Sequence, residues 1–120
     1  MNWLRDRIAS FGYAFRGIAT LLAEQPNAQL HALATVLVLA LGWWLEVSRG
    51  DWQVLVLTIA LVWLAEGMNT ALEYLADAAV PEQHPLIGKA KDVAAGAVLI
   101  AAGFAVVMAV LVFQPYLFAL

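Results

Sequence analysis

The sequence contains no cysteine, and only 12% of its 120 residues are charged. The absence of cysteine excludes disulfide bonds and metal sites built on thiolates. Soluble domains carry about 25% charged residues, so this chain has about half the usual charge, whereas 64% of its residues are hydrophobic. With a mean hydropathy of +0.83, the composition indicates an integral membrane protein with a single domain over residues 1–120.

Basic residues are also scarce, with 6 Lys and Arg against 9 Asp and Glu and a formal net charge of −3. Because no basic run is present, the sequence gives no electrostatic footprint for nucleic acid. The glycine-rich phosphate loops and the catalytic signatures of soluble kinases are absent too. Any phosphotransfer by this chain must therefore use a different scaffold.

Three apolar runs are long enough to cross a membrane as helices, at residues 30–47, 52–74 and 93–113. Residues 1–24 are different, because hydrophobic side chains recur there at three and four spacing and are opposed by charged ones. That pattern is typical of an amphipathic helix lying in the membrane interface. We therefore predict an all-α membrane protein with an N-terminal amphipathic surface helix and three transmembrane helices.

The distribution of positive charge predicts the orientation. Five of the six Lys and Arg fall in the N-terminal helix and in residues 78–92, and only Arg49 lies in the other loop. The positive-inside rule then places the N-terminus in the cytoplasm in a multi-pass topology. Glu66 follows Trp52, taken as the outer boundary, by 14 residues. It should therefore lie about 21 Å into the membrane, beneath the cytoplasmic surface.

Four polar residues share one side of the second span. At 100° per residue, Glu66, Asn69, Glu73 and Asp77 fall within a stripe about 80° wide. A carboxylate inside a span costs about 2.5–3.5 kcal/mol on insertion scales. We therefore expect Glu66 to face the interior of a helix bundle or a wet cleft.

Further polar residues should meet this stripe at the same depth. They are Glu24 and Gln25 before the first span, and Lys89, Lys91 and Asp92 before the third. Oxygen ligands of this kind suit Mg²⁺, ammonium groups suit phosphate, and a submerged carboxylate can act as a general base. The cluster is compatible with phosphoryl transfer from a cytosolic nucleotide to a lipid hydroxyl.

Other interpretations of these residues remain open at this point. The stripe could join helices or form an ion path, both common for polar groups inside membranes. Lys91 could form only a surface ion pair with Asp92, and Asp77 could be a solvated residue at a loop. His31 has no evident partner in the sequence, and we interpret it as a hydrogen-bonded packing residue.

Three segments together resemble a known family. They are E-G-M-N-T-A-L-E at 66–73, P-E-Q-H-P-L at 81–86 and A-K-D at 90–92. They resemble the prokaryotic diacylglycerol kinase and undecaprenol kinase family, over nearly the whole chain. The resemblance implies a homotrimeric lipid kinase of the bacterial cytoplasmic (inner) membrane, which uses Mg²⁺ and ATP to phosphorylate a lipid alcohol.

The resemblance also implies roles for individual residues. Glu66 would be the catalytic base, and Asn69 would orient or polarise the same site. Glu73 would bind the metal. The positions that would contact or lie near the nucleotide are Tyr13, Glu73, Glu82, His84, Lys91 and Asp92.

One metal position departs from the family pattern. The second metal-binding glutamate falls on Gln25, with Glu24 one residue before it. An amide oxygen is an uncharged and weaker ligand, so Mg²⁺ is held less tightly, or Glu24 substitutes, or activity is reduced. A catalytically weakened membrane scaffold is therefore one alternative to a kinase. A cation- or proton-coupled small membrane transporter is the other. The N-T-A and P-E-x-H-P-L segments favour undecaprenol as the acceptor, with diacylglycerol as the other candidate.

Overall fold

The computed structural model describes residues 2–120, and four helices account for nearly all of them. The helices are α1 (Trp3–Glu24), α2 (Pro26–Leu45), α3 (Arg49–Ala79) and α4 (Pro85–Phe118). Three of them, α2 to α4, are long and apolar enough to cross a membrane. The predicted all-helical fold with three membrane-spanning candidates is therefore confirmed.

Two of the helices are much longer than the spans predicted for them. α3 has 31 residues and α4 has 34, which makes them about 46 and 51 Å long, against a hydrocarbon core of about 30 Å. α2, in contrast, begins four residues before the predicted start at 30 and ends two before the predicted end at 47. Hydropathy marks only the part of a helix that fits the hydrocarbon, and α3 and α4 continue beyond it.

The connection between α3 and α4 is shorter than the sequence suggested. The predicted spans leave residues 75–92 between them, but only residues 80–84 lie outside the helices. Pro85 takes the first helical position, where its missing N–H costs nothing. The backbone N–H of Leu86 donates to Nδ1 of His84 at 3.1 Å and caps the helix. As a result Lys89 and Lys91 lie on α4 itself.

The α1–α2 junction lies at the same end of the bundle as residues 80–84, and we call this the lower end. Gln25 is extended between the two helices, and Pro26 begins α2. The side-chain amide of Gln29 donates to the carbonyl of Leu22 at 3.1 Å, which ties the two helices together. No residue of α1 is buried by the rest of the chain.

The opposite, upper end holds the α2–α3 connection and the end of α4. Glu46 has a positive φ of 53° and reverses the chain, and the Ser48 hydroxyl accepts from the backbone N–H of Asp51 at 3.1 Å. The Tyr116 hydroxyl donates to Oδ2 of Asp51 at 2.6 Å and accepts from the Ser48 N–H at 2.9 Å. These bonds fasten the end of α4 to the start of α3.

The main hydrophobic core also lies at the upper end. Its buried members are Val47, Leu55, Val112 and Phe113. The shortest dimension of the single chain is only 21 Å, so most of the side chains along the spans remain exposed. The chain is therefore a thin layer of helices with its tightest packing away from the polar stripe.

Gly42 allows α2 to approach α3 closely, and its replacement should destabilise the fold. A Cβ at this position would lie 2.8 Å from the Trp52 ring. We expect Gly42→Ala to cost about 1–3 kcal/mol through overpacking and to lower the melting temperature of the detergent-solubilised protein. Gly103→Ala is the matched control, because a Cβ there meets nothing within 4 Å. Equal melting temperatures for the two variants would contradict the packing described here.

Candidate active site

The upper part of the polar stripe on α3, which contains Glu66 and Asn69, is buried. The side chain of Glu66 is the most buried of the large side chains, with 1% of the residue exposed. Asn69 and Thr70 are also buried. The burial of Glu66 agrees with the expectation that its side chain faces the interior of the helix bundle.

Three buried polar atoms in one helical turn have no hydrogen-bond partner in the described chain. They are Oε2 of Glu66, Oδ1 of Asn69 and Oγ1 of Thr70. Leaving such groups unpaired costs about 1–3 kcal/mol each. A cluster of unpaired polar atoms at one place marks a site where a ligand or water can supply the missing bonds.

The stripe continues to the lower end through two contacts. The Asn69 amide donates to Oε1 of Glu73 at 3.2 Å, which links the buried and exposed halves of the stripe. Lys91 on α4 forms a hydrogen-bonded ion pair with Asp77 on α3. The cross-helix pair replaces the expected local pair of Lys91 with Asp92.

The α1–α2 junction meets α3 next to Glu73, as the sequence suggested. The Tyr74 hydroxyl donates to Oε1 of Glu24 at 2.7 Å and accepts from Nε2 of Gln25 at 3.1 Å. The sequence analysis missed Tyr74, although it lies about 80° from Glu66 on the helix, just beside the stripe. Its hydroxyl holds both candidates for the second metal position against α3.

A cavity of about 540 Å³ with a mixed polar and apolar lining opens at the lower end. It is formed by the α3–α4 connection and the helix turns on either side, and its volume is within the range of small-molecule sites. Its charged and titratable lining residues are Asp77, Glu82, His84 and Lys91. Three of the residues expected near the nucleotide therefore share one cavity.

The other three residues expected near the nucleotide, Tyr13, Glu73 and Asp92, do not line this cavity. Asp92 follows Lys91 on α4 but is not among the lining residues. Tyr13 lies on α1, where the Arg16 guanidinium sits 4.8 Å from the centre of its ring. Within one chain, α1 does not deliver Tyr13 to the nucleotide residues of the α3–α4 connection.

The residues expected to hold Mg²⁺ are few. Among residues 2–120, no group of three or more His, Asp or Glu is placed to bind a metal ion. Mg²⁺ is usually bound by one or two carboxylates together with substrate phosphates, and Glu73 supplies one carboxylate. Gln25 uses its amide nitrogen toward Tyr74, so its amide oxygen is the end that can ligate a cation. Glu73 and Gln25 would therefore fit a Mg²⁺ site whose remaining ligands come from substrate phosphates.

An apolar groove of about 360 Å³ runs between α3 and α4 beside the buried part of the stripe. Its lining is almost entirely hydrophobic and includes Met68, Leu72 and Leu75. Asn69 is the polar residue in it. The groove thus connects a hydrophobic surface to a residue of the predicted site.

His31 has a partner that the sequence analysis did not identify. Its Nε2 lies 3.5 Å from Oε2 of Glu66, so it faces a carboxylate rather than only packing. The sequence held no signal for this pairing. Both helices are apolar around these positions, and their relative rotation is set by packing.

Comparison with known proteins assigns the chain to a class. A family model described as prokaryotic diacylglycerol kinase matches residues 12–113. The undecaprenol kinase of Bacillus subtilis is 37% identical over 116 residues, which cover 97% of this chain and 94% of that protein. Three membrane-spanning helices and these matches define a membrane lipid kinase.

Two diacylglycerol kinases are similar as well. That of Synechocystis is 39% identical over 114 residues, covering 94% of this chain but 65% of its own length. That of Escherichia coli K12 is 31% identical over 100 residues, covering 83% of this chain and 82% of its own. The chain belongs to the prokaryotic diacylglycerol kinase family, as the resemblance predicted. Membership of a kinase family implies ATP as the phosphoryl donor.

The unpaired Thr70 hydroxyl generates a prediction about stability. Replacing an unsatisfied buried hydroxyl by a methyl group removes a desolvation cost, so Thr70→Val should raise the stability by about 1 kcal/mol. The matched control is Thr58→Val, which loses a hydroxyl already bonded to the carbonyl of Val54 at 2.7 Å. Thermal unfolding in detergent compares them, and a less stable Thr70→Val would show that the hydroxyl has a partner.

Proposed function

We propose that this lipid kinase transfers the γ-phosphate of ATP to the hydroxyl of undecaprenol or diacylglycerol at the cytoplasmic face of the bacterial inner membrane. The observation that carries the proposal is the arrangement along α3. A buried carboxylate at Glu66 and an apolar groove at Asn69 lie on the same helix as a cavity with charged lining residues at its lower end. A lipid and a nucleotide can approach the same stripe from opposite directions.

The acceptor would enter along the apolar groove between α3 and α4. Its hydrophobic lining suits an acyl or prenyl chain, and Asn69 in the groove can hydrogen-bond the terminal hydroxyl. Relatives of both names match at nearly equal identity, 37% and 39%. We favour undecaprenol because of the N-T-A segment at 69–71 and the P-E-Q-H-P-L segment at 81–86.

Glu66 would act as the general base. It takes the proton of the lipid hydroxyl while the lipid oxygen bonds to the γ-phosphorus and the bond from that phosphorus to the oxygen of ADP breaks. Phosphoryl transfer depends mainly on positioning and charge neutralisation. A buried carboxylate is suited to this step because it faces few competing water molecules.

Lys91, with Asp92, would bind the phosphates of ATP at the lower end. In the described structure Lys91 is paired with Asp77, so nucleotide binding exchanges a carboxylate partner for a phosphate. Glu82 and His84 line the same cavity and would contact the rest of the nucleotide. Tyr13 would approach it from α1.

Glu73 and Gln25 would hold Mg²⁺, which when bound neutralises charge on the phosphates. Tyr74 supports this assignment, because its hydroxyl accepts from Gln25 at 3.1 Å and so holds Gln25 against the turn of α3 that carries Glu73. The Asn69 amide donates to Oε1 of Glu73 at 3.2 Å, which would orient that carboxylate.

The active form would be a homotrimer with α1 lying in the membrane interface and the N-terminus in the cytoplasm. Two observations support this arrangement. α1 buries no residue against its own chain, and Tyr13 lies apart from the cavity that holds Glu82 and His84. In a trimer, Tyr13 of a neighbouring subunit could reach the cavity that holds Glu82 and His84.

Replacing Glu66 tests the catalytic assignment. Glu66→Gln keeps the size of the side chain but removes the base, so we expect turnover to fall at least about 100-fold. The measurement is transfer of radiolabelled phosphate from ATP to undecaprenol and to diacylglycerol in mixed micelles, with size-exclusion chromatography to show an intact oligomer. Glu46→Gln, at the upper end of the bundle, is the matched control. A near-normal rate for Glu66→Gln would remove Glu66 from the mechanism.

Replacing the two residues before Pro26 tests the metal assignment. Gln25→Glu adds a carboxylate at the second metal position, so we expect half-maximal activity at a lower Mg²⁺ concentration. Glu24→Gln should leave the Mg²⁺ requirement unchanged if Gln25 is the ligand. The reverse result, an effect of Glu24→Gln and none of Gln25→Glu, would assign the position to Glu24.

A further inference from the structure

We propose that His31 is a positioning residue for Glu66, holding the carboxylate in the orientation in which it accepts the proton of the lipid hydroxyl. The inference rests on the proposed role of Glu66 as the base. His31 belongs to α2 and Glu66 to α3, so the contact joins two helices inside the membrane-spanning part of the chain.

The contact involves one ring nitrogen of His31 and one oxygen of the Glu66 carboxylate. Nε2 of His31 lies 3.5 Å from Oε2 of Glu66, slightly beyond the 2.7–3.2 Å typical of a formed N–H···O bond. Oε2 has no hydrogen-bond partner in the described chain. The side chains are 15% and 1% exposed, so bulk water does not compete for either group. Catalytic hydrogen bonds are often long without substrate and tighten in the reactive complex.

Trp63 packs against the imidazole ring. It meets the ring edge to face, with ring centres 6.4 Å apart and planes at 69°, an arrangement that aromatic rings favour. The Trp63 indole N–H donates to the Thr35 hydroxyl at 3.0 Å. That hydroxyl in turn donates to the backbone carbonyl of His31 at 2.7 Å. The ring therefore packs on the helix that carries Glu66, and Thr35 of α2 holds the tryptophan in place.

The physical consequence concerns the orientation of the Glu66 carboxylate. A buried carboxylate needs a partner for its oxygens. A ring N–H at Nε2 of His31, which lies 3.5 Å from Oε2, would supply that partner once the contact tightens. Oε1 would then be the oxygen that accepts the proton of the lipid hydroxyl.

Substitution of His31 separates positioning from packing. His31→Leu keeps the bulk of the side chain and removes the donor, so we expect kcat to fall about 10- to 100-fold, the range typical when a partner that orients a functional group is lost. KM for ATP and for the lipid should change little. His31→Gln keeps a donor and should recover most of the lost kcat. Thr58→Ala, which removes a hydroxyl bonded within its own helix, is the control and should keep the rate.

Nitrogen NMR tests the contact without using activity. The chain has only two histidines, so protein labelled with ¹⁵N-histidine gives two sets of ring signals, assigned with His31→Gln. Glu66→Gln should shift the Nε2 signal of His31 and leave that of His84 unchanged. An unshifted His31 signal would overturn the inference, even if the enzyme is active.

The outcomes distinguish this inference from the proposed function. If the wild-type protein transfers phosphate to neither undecaprenol nor diacylglycerol, the proposed function is wrong. If the wild type is active but His31→Leu keeps its kcat, or His31→Gln is as slow as His31→Leu, the positioning role is wrong. A fall in kcat that glutamine restores, together with the NMR shift, supports it.

Discussion

The main constraint on this structure is the need to keep the Glu66 carboxylate out of hydrocarbon. A charge exposed to lipid at this depth would oppose insertion of α3. The chain meets the constraint by turning Glu66 toward α2, where it is almost fully buried and faces His31. The rotation of α3 about its axis follows from this requirement. The positions of Asn69, Glu73 and Asp77 follow in turn, because they share the same side of the helix.

The second feature of the candidate site is that its two ends differ in surroundings. Both α3 and α4 are longer than the hydrocarbon is thick, so each helix can extend beyond it. An apolar groove lies at Asn69 in the buried part of the stripe, whereas the side chains of Asp77 and Lys91 are exposed. An enzyme that joins a lipid and a soluble phosphate donor needs both kinds of surroundings on one rigid element.

The sequence predicted most of the fold but only part of the site. Apolar runs and helical periodicity identified the three spans and the polar stripe, because both depend on positions within one helix. The start of α4 at Pro85 was missed because hydropathy falls there while the backbone still favours a helix. Contacts between helices, such as those of Lys91 with Asp77 and His31 with Glu66, depend on the relative rotation of two helices. No pattern within a single segment specifies that rotation.

The bonds of Tyr116 at the upper end have a mechanical consequence. They fasten α4 to the start of α3 next to the main hydrophobic core. At the opposite end, the connection 80–84 and the ion pair of Lys91 with Asp77 join the same two helices. The firmest attachment between α3 and α4 in the described chain therefore lies at the end away from the cavity.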